Sequence, residues 1–372
     1  MTAPHERLRQ LLEEEILPTH RARWGASTEW DADLDFQRQI ASHGWAAPGW
    51  PVEIGGMGLD VEEQVACYVV LAELGAPRLV SVYGVKNVGP TIAAWGTDEQ
   101  KRHLRGILTV DELWCQGFSE PDNGSDLAGL RTRADVDGDD FVVNGQKIWT
   151  SIGMHATHCM LLVRTDQSAP KHKGISALLV PLDLPGISRR PIRQMNGATE
   201  FAELFFDDVR VPRTALLGPV NEGWRVTMTT LSFERAGVIG MCGELSSDAE
   251  KLIADLAARG DLRGATRDRA VRLYIESQLL RLTGERSLAA EEGAPGPLST
   301  IIKLAWSSFG QALRVFAVDA VGIGAVAGGG GLPYADGLTM SPSYGIAGGT
   351  TEVLKNLIGE RVLGLPKEPG PT

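Results

Sequence analysis

The spacing of apolar residues changes twice along the chain. Between Arg7 and Pro18, Leu8, Leu11, Leu12, Ile16 and Leu17 recur at helical intervals among Glu and Arg, the stripe of an amphipathic helix. The stretches 33–43, 61–74 and 87–95 repeat that period, and Thr97 stands where an N-cap would open a further helix. After Leu113 the intervals shorten to alternation over 132–136, 141–143, 159–164, 175–181 and 201–211, with Asp-, Gly- and Pro-bearing turns between them. Asn144-Gly145 predicts a two-residue hairpin turn, which places Trp149-Thr150-Ser151 at a strand end. No helix-length stretch interrupts these strands, so the sheet is expected to be mainly antiparallel and barrel-like, without the crossover helices of a parallel sheet. From Asn221 the helical period returns, with Trp224, Met228, Leu231, Val238 and Cys242 as one stripe and further helices over 248–258, 267–291 and 299–326. The Gly-rich run 322–331 and the Pro-bearing run 332–344 predict a loop before Thr350 starts a terminal helix. The pattern predicts an α+β multidomain chain. It comprises an N-terminal helical domain (1–112), a central antiparallel β-barrel-like domain (113–220) and a C-terminal four-helix-type bundle (221–372).

Charge and cysteine usage narrow the function classes. A formal net charge of −11 over 372 residues argues against nonspecific nucleic-acid binding, which needs basic surface against phosphates. Cys67, Cys115, Cys159 and Cys242 are far apart in sequence and lack the spacing of a metal site or disulfide scaffold, so they are expected as buried thiols in a reducing compartment. No apolar run approaches the roughly 20 residues that span a bilayer, and residues 1–7 lack the apolar core of a signal peptide. The expectation is a cytoplasmic protein without membrane or metal.

The candidate chemistry concentrates in two places. Gln116-Gly117-Phe118-Ser119 runs into the tight turn Glu120–Asp126, where Ser119 and Ser125 are either turn-capping hydroxyls or ligand contacts. Glu234 has Leu231, Val238 and Met241 as its helical neighbours, so its carboxylate projects from an apolar face. Such a group is either one half of an ion pair or a proton-transfer residue, and the adjacent Arg235 diverges from it on a helix.

The run Ser119-Glu120-Pro121-Asp122-Asn123-Gly124-Ser125-Asp126, followed by Asn144-Gly145-Gln146-Lys147-Ile148-Trp149, closely resembles the signature of the acyl-CoA dehydrogenases. The resemblance extends to Gly44–Pro51 and Gly55–Gly58 near the start and to Gly348-Gly349-Thr350-Thr351-Glu352 and Glu360–Gly364 near the finish, so it covers essentially the whole chain. It implies noncovalent FAD, with Gln116, Gly117, Phe118 and Ser119 against the flavin ring and Trp149, Thr150 and Ser151 along it. Thr350, Thr351 and Glu352 would lie near the ribityl and phosphate region. Ser125, Phe233, Arg235, Gly348 and Gly349 would face the substrate. The base that one branch of the family carries just before the terminal Gly-Thr is absent here, because Gly348 stands at that position. Phe233-Glu234-Arg235 instead resembles the isovaleryl and long-chain branch, which implies Glu234 as the α-proton base.

The implied reaction is α,β-dehydrogenation of an acyl-CoA or carrier-bound acyl thioester in lipid metabolism, with hydride leaving to flavin N5 and electrons passing to an electron-transferring flavoprotein. The family's Arg-x-x-Phe-Gly segment has no clear copy around 261–272, and Ala320-Val321-Gly322-Ile323-Gly324 replaces its Gln-x-x-Gly-Gly motif. The resemblance implies a homo-tetramer or a heterotetramer, and those departures fit a heterotetramer in which each subunit supplies only part of a site. A silent or half-site subunit of a heteromer, and an acyl-CoA oxidase on the same fold, are the alternative readings.

Overall fold

A computed structural model describes residues 2–27, 29–290, 297–327 and 334–367; the side chains at 61, 234–241, 288–290, 297 and 326–327 are outside the description. The chain divides into two compact units, one of Met1–Gln194 with Ala198–Phe233 and the other of Met195–Gly197 with Glu234–Thr372.

The first unit begins with helices. Pro4–Leu11 continues through a wider π-turn at Leu12–Ile16 into Leu17–Trp24, and Leu8, Leu12, Ile16 and Leu17 are buried against Phe36 and Ile40 of the helix Trp30–Ser42. The π-turn keeps Leu12, Ile16 and Leu17 on one face, where a regular helix would rotate one of them away. Val61–Glu73 follows, capped by Asp60, whose carboxylate accepts from the N–H of Glu63 at 2.8 Å. Thr97 caps as expected: its hydroxyl accepts from the N–H of Gln100 at 3.2 Å, ahead of the helix His103–Thr109.

Eight strands then form one sheet. They are β1 (Trp114–Gly117), β2 (Arg133–Asp137), β3 (Asp140–Ser151), β4 (His158–Arg164), β5 (Ile175–Pro181), β6 (Ile187–Ile192), β7 (Phe201–Pro212) and β8 (Leu216–Leu217). Their order is β6-β7-β3-β2-β4-β5-β8, with β1 paired to β4. The ladders are antiparallel, as the alternation predicts, except that β1 and the single pair Arg133↔Arg164 run parallel to β4.

The sheet wraps around its own core. Phe141, Val143, Cys159, Leu161, Val163, Leu178, Val180, Leu204 and Val209 fill one side. The alternate residues Met160, Leu162, Ala177 and Leu179 face Trp50, Val88, Ile92 and Ile107 of the helical layer. β4 and β5 are therefore apolar on both faces, which is why their sequence reads as near-continuous hydrophobic runs.

Asn144-Gly145 is not a turn. The hairpin turns at Asp137–Asp140, where Gly138 has φ +63°, and β3 continues straight through Asn144 with a bulge against β7. Asn144 pairs with Asp208 instead, its Nδ2 donating to Oδ1 at 2.9 Å and its Oδ1 accepting from the Asp208 N–H at 3.0 Å. Gly145 has φ +152°, and a Cβ there would lie 2.5 Å from Thr132 Oγ1, so the glycine serves close strand approach.

The long helix Gly223–Ala258 begins in the first unit, where it buries Val226, Thr227 and Thr230; of its expected stripe, Trp224, Met228 and Leu231 are only half-buried, Cys242 is buried, and Val238 lies among the side chains outside the description. Two polar contacts select this rotation: Thr230 Oγ1 lies 3.0 Å from Thr91 Oγ1, and Trp95 Nε1 donates to Thr229 Oγ1 at 3.0 Å. In the second unit, the end of that helix packs with Gly264–Ala290 and Pro297–Val321 around Leu245, Leu252, Leu273, Phe309 and Phe316. Val321 ends the third helix, because Gly322 follows at φ +68°. The expected tail loop contains helical turns at Gly324–Ala327, Tyr334–Met340 and Ser341–Gly345, while 328–333 and Glu291 fall outside the described residues. Val271, Tyr274, Ile275, Leu279 and Leu282 are exposed along one face of Gly264–Ala290. Among the described residues, no helix is long and apolar enough to cross a membrane. All four cysteines are buried and none forms a disulfide.

Candidate active site

The signature loop is built on β1 and tied to β3. Gln116, next to the last residue of the strand, is half-buried; its Oε1 accepts from Asn87 Nδ2 at 3.2 Å, while its buried Nε2 has no hydrogen-bond partner among the described residues. Gly117 leaves no room for a side chain, since a Cβ would meet Cys159 Sγ and Leu161 Cδ1, each at 2.8 Å. That close packing lets the strand lie flat on β4 and hand the chain on to Phe118 and Ser119, both half-buried. Their carbonyls are held by β3: Phe118 accepts from Lys147 Nζ at 3.0 Å and Ser119 from the Ile148 N–H at 2.9 Å.

Lys147 is the residue that sequence reasoning passed over. It is 0% exposed, and it pairs with Glu120 at 2.9 Å. Glu120 also accepts from the N–H groups of Arg131 at 2.6 Å and Thr132 at 2.8 Å. Burial works against the Glu120 carboxylate, but the Lys147 charge and these hydrogen bonds outweigh it and hold the group below the usual carboxylate range. Burial lowers Lys147, and Glu120 offsets only part of that. The pair closes the turn from both sides, along with reciprocal backbone bonds between Glu120 and Asn123 at 3.0 and 3.1 Å. The signal was available: Phe141, Val143 and Lys147 share one strand parity, so alternation alone placed the lysine inside.

The end of β3 carries an unusual platform. Trp149 has φ +59°, a region costly for a bulky residue, and is 56% exposed, with its ring edge-on to Phe201 at 6.1 Å. The β3–β7 register shifts between Lys147 and Thr150, and this bulge turns the indole outward. Thr150 beside it is buried, and its Oγ1 has no hydrogen-bond partner among the described residues. Ser151 closes the strand half-buried, and Ile152 follows at φ +52°. A strained, exposed aromatic at the end of the strand that holds the signature loop fits a planar ligand such as a flavin ring.

The other sequence-predicted residues are placed separately. Ser125 is exposed on the turn, next to Asp126, which pairs with Lys171 at 2.8 Å. Phe233 lies on the long helix, partly exposed, and is the last residue of the first unit. Glu234 and Arg235 continue that helix, and their side chains are outside the described residues. In the second unit, Gly348 and Gly349 have φ +65° and +100°, and Thr350 caps the helix Thr351–Leu357 by accepting from the Val353 N–H at 3.2 Å. Thr351 and Glu352 form the first turn of that helix.

Comparison with known proteins agrees along the length of the chain. The family models for the acyl-CoA dehydrogenase N-terminal, middle and C-terminal domains match residues 3–109, 115–209 and 221–363. An acyl-CoA dehydrogenase of Mycobacterium tuberculosis, IpdE1, is 39% identical over 350 residues, covering 90% of this chain and 88% of the relative. Among solved structures, the Tcur3481-Tcur3483 steroid ACAD is similar with a TM-score of 0.86 at 30% identity, covering 99% of both chains. The ChsE4-ChsE5 complex from Mycobacterium tuberculosis gives a TM-score of 0.79 at 30% identity, again over 99% of both chains. With three domain models matched in order and the signature loop clamped onto a strand that ends in an aromatic platform, the chain belongs to the acyl-CoA dehydrogenase family, oxidoreductases that act on CH–CH bonds.

Proposed function

We propose that this chain desaturates an acyl-CoA thioester between Cα and Cβ, with FAD as its cofactor and Glu234 as the base that takes the α-proton. The observation that carries the reading is the Trp149 platform, strained and exposed at the end of the strand that holds the signature loop. When bound, FAD would supply the acceptor for the β-hydride. Gln116–Ser119 and Trp149–Ser151 would hold its ring, and Thr350–Glu352 its ribityl and phosphate region. Ser125, Phe233, Arg235 and Gly349 would line the substrate path. Removing the α-proton puts charge on the thioester oxygen, so a donor must meet that oxygen; the backbone N–H at Gly348 is the residue we assign to it. Gly348 carries no carboxylate of its own, which leaves the base to Glu234.

A heteromeric assembly is the arrangement we favour, and the apolar face formed by Val271, Tyr274, Ile275, Leu279 and Leu282 supports it, because such a stripe on a surface helix calls for a covering partner. Relatives at 30% identity are named as a steroid ACAD and as a two-component complex, so the partner is taken to be a second chain of the same family and the acyl group to be bulky and ring-bearing. An electron-transferring flavoprotein would reoxidise the enzyme.

The test is anaerobic bleaching of flavin absorbance at saturating acyl-CoA, with linear, branched and steroid-side-chain thioesters, for the chain alone and co-expressed with family partners. Glu234→Gln should bind FAD normally and slow bleaching about 100- to 10,000-fold, the usual cost of a lost general base. Near-normal bleaching by that variant removes Glu234 from the chemistry. Protein that stays colourless with FAD and with every partner removes the cofactor assignment.

A further inference from the structure

Away from these residues, two imidazoles and a carboxylate converge on the side of the first unit. His103 opens the helix His103–Thr109, Glu112 lies in the link to β1, and His158 opens β4. One ligating atom from each lies within 4.8 Å of the others, and all three side chains are half-buried. His103 Nδ1 is 2.8 and 3.0 Å from the two Glu112 oxygens. Trp114 fixes the cluster from beneath: its Nε1 donates to Glu112 Oε2 at 2.9 Å, and its ring stacks on His158 at 4.8 Å and 21° and meets His103 edge-on at 5.1 Å. Thr157 Oγ1 lies 2.9 Å from His158 Nδ1 and holds that ring.

We propose that His103, Glu112 and His158 form a binding site for a divalent cation of the zinc class, fastening the helix to the adjoining ends of β1 and β4. Two imidazoles and one carboxylate are a donor set for zinc, whereas magnesium and calcium favour oxygen ligands throughout. Tetrahedral ligands about 2.1 Å from zinc sit roughly 3.4 Å apart, so ligand atoms now within 4.8 Å close on a metal by side-chain rotation of about 1 Å. Three protein ligands leave one position for water. The Trp114 indole is the outer-shell donor that orients a ligating carboxylate, an arrangement common around bound metals. The carboxylate platform is thereby rigid before any ion arrives.

The experiment uses the untagged full chain, stripped of metal by a chelator and dialysed against Zn2+, with Mg2+ in parallel. About one zinc per chain should be retained and no magnesium. His103→Gln, Glu112→Gln and His158→Gln should each weaken zinc binding at least about tenfold, while His43→Asn, which changes an exposed histidine elsewhere, should leave it unchanged. Co2+ gives a readout that needs no variant: a visible absorption band from nitrogen and oxygen ligands, abolished by one equivalent of Zn2+. Absence of that band in the unaltered protein, or zinc retained equally by His103→Gln and His158→Gln, overturns the site. Circular dichroism of each variant separates lost ligation from lost folding.

Discussion

Lys147→Met should be among the most damaging single changes in the first unit, because it breaks a buried ion pair. Methionine nearly preserves the volume, so the perturbation is electrostatic. Glu120, 6% exposed, would keep its two backbone donors, Arg131 and Thr132, but lose its cation, and the Phe118 carbonyl would lose its ammonium donor. Removing one partner of a buried ion pair costs about 3–5 kcal/mol. At about 2–4 °C per kcal/mol for a unit of this size, the melting temperature should fall roughly 6–20 °C. Glu120→Gln should cost a similar amount, because it strands the ammonium in place of the carboxylate. In Glu120→Gln with Lys147→Met, no buried charge remains, so the double variant should lose clearly less than the sum of the singles, with a coupling on the order of 2 kcal/mol. Calorimetry and urea unfolding of the four proteins would measure this. Additive losses, or single variants within about 1 kcal/mol of the parent, would refute the claim that this pair clamps the loop.

Acidification probes the same clamp. Glu120 is held below its ordinary range, so its stabilisation is fully present above the unfolded value of about 4.3 and is lost as pH falls through it towards the folded value. Stability of the parent should therefore drop more steeply below about pH 4.5 than that of the double variant, as read by urea midpoints across pH. Trp149→Gly should relieve the positive-φ strain, worth about 1 kcal/mol, and leave the melting temperature little changed while FAD affinity falls at least about tenfold in a fluorescence titration. Undiminished FAD affinity would remove the platform assignment. Glu234→Gly with Gly348→Glu should recover only part of the flavin-bleaching rate, because a side chain at φ +65° adds about 1–2 kcal/mol of strain to a changed angle of approach. Recovery no better than Glu234→Gly alone would show that the two positions address different protons.

Much of the architecture could be read from spacing because burial leaves a direct trace. The change of period at Leu113 and its return at Asn221 follow from sheet faces and helix stripes, and the two-sided burial of β4 and β5 is visible in Met160–Val163 and Ala177–Val180. Asn144-Gly145 misled because a turn dipeptide and a bulge ask for the same backbone freedom, and only the partnership with Asp208, distant in sequence, decides between them. The rotation of the long helix was hidden likewise, since Thr227 and Thr230 look polar yet satisfy their hydroxyls on the carbonyls of Gly223 and Val226 and so can be buried. Of the candidate site, the loop and the Trp149 strand end were legible from residue type. The burial of Lys147 could be read from parity, but its pairing with Glu120 and the Trp149 backbone strain could not, because each depends on what faces the residue in three dimensions. The convergence of His103, Glu112 and His158 was invisible for the same reason.

The two-sided burial of β4 and β5 also sets an order in time. A hairpin with Ile175–Val180 apolar on both faces has no stable place in water by itself, and it is a template for pairing with other chains. During synthesis, the helices that cover one face have already left the ribosome when this hairpin emerges, and β7, which supplies Leu204, Val209 and Val211 to the opposite core, follows within a few dozen residues. The interval of exposure is short because of the order in which the elements are connected. Moving the helical layer behind β4 and β5 in the order of synthesis would lengthen that interval to almost the whole chain, so the yield of soluble protein would register what the natural order accomplishes.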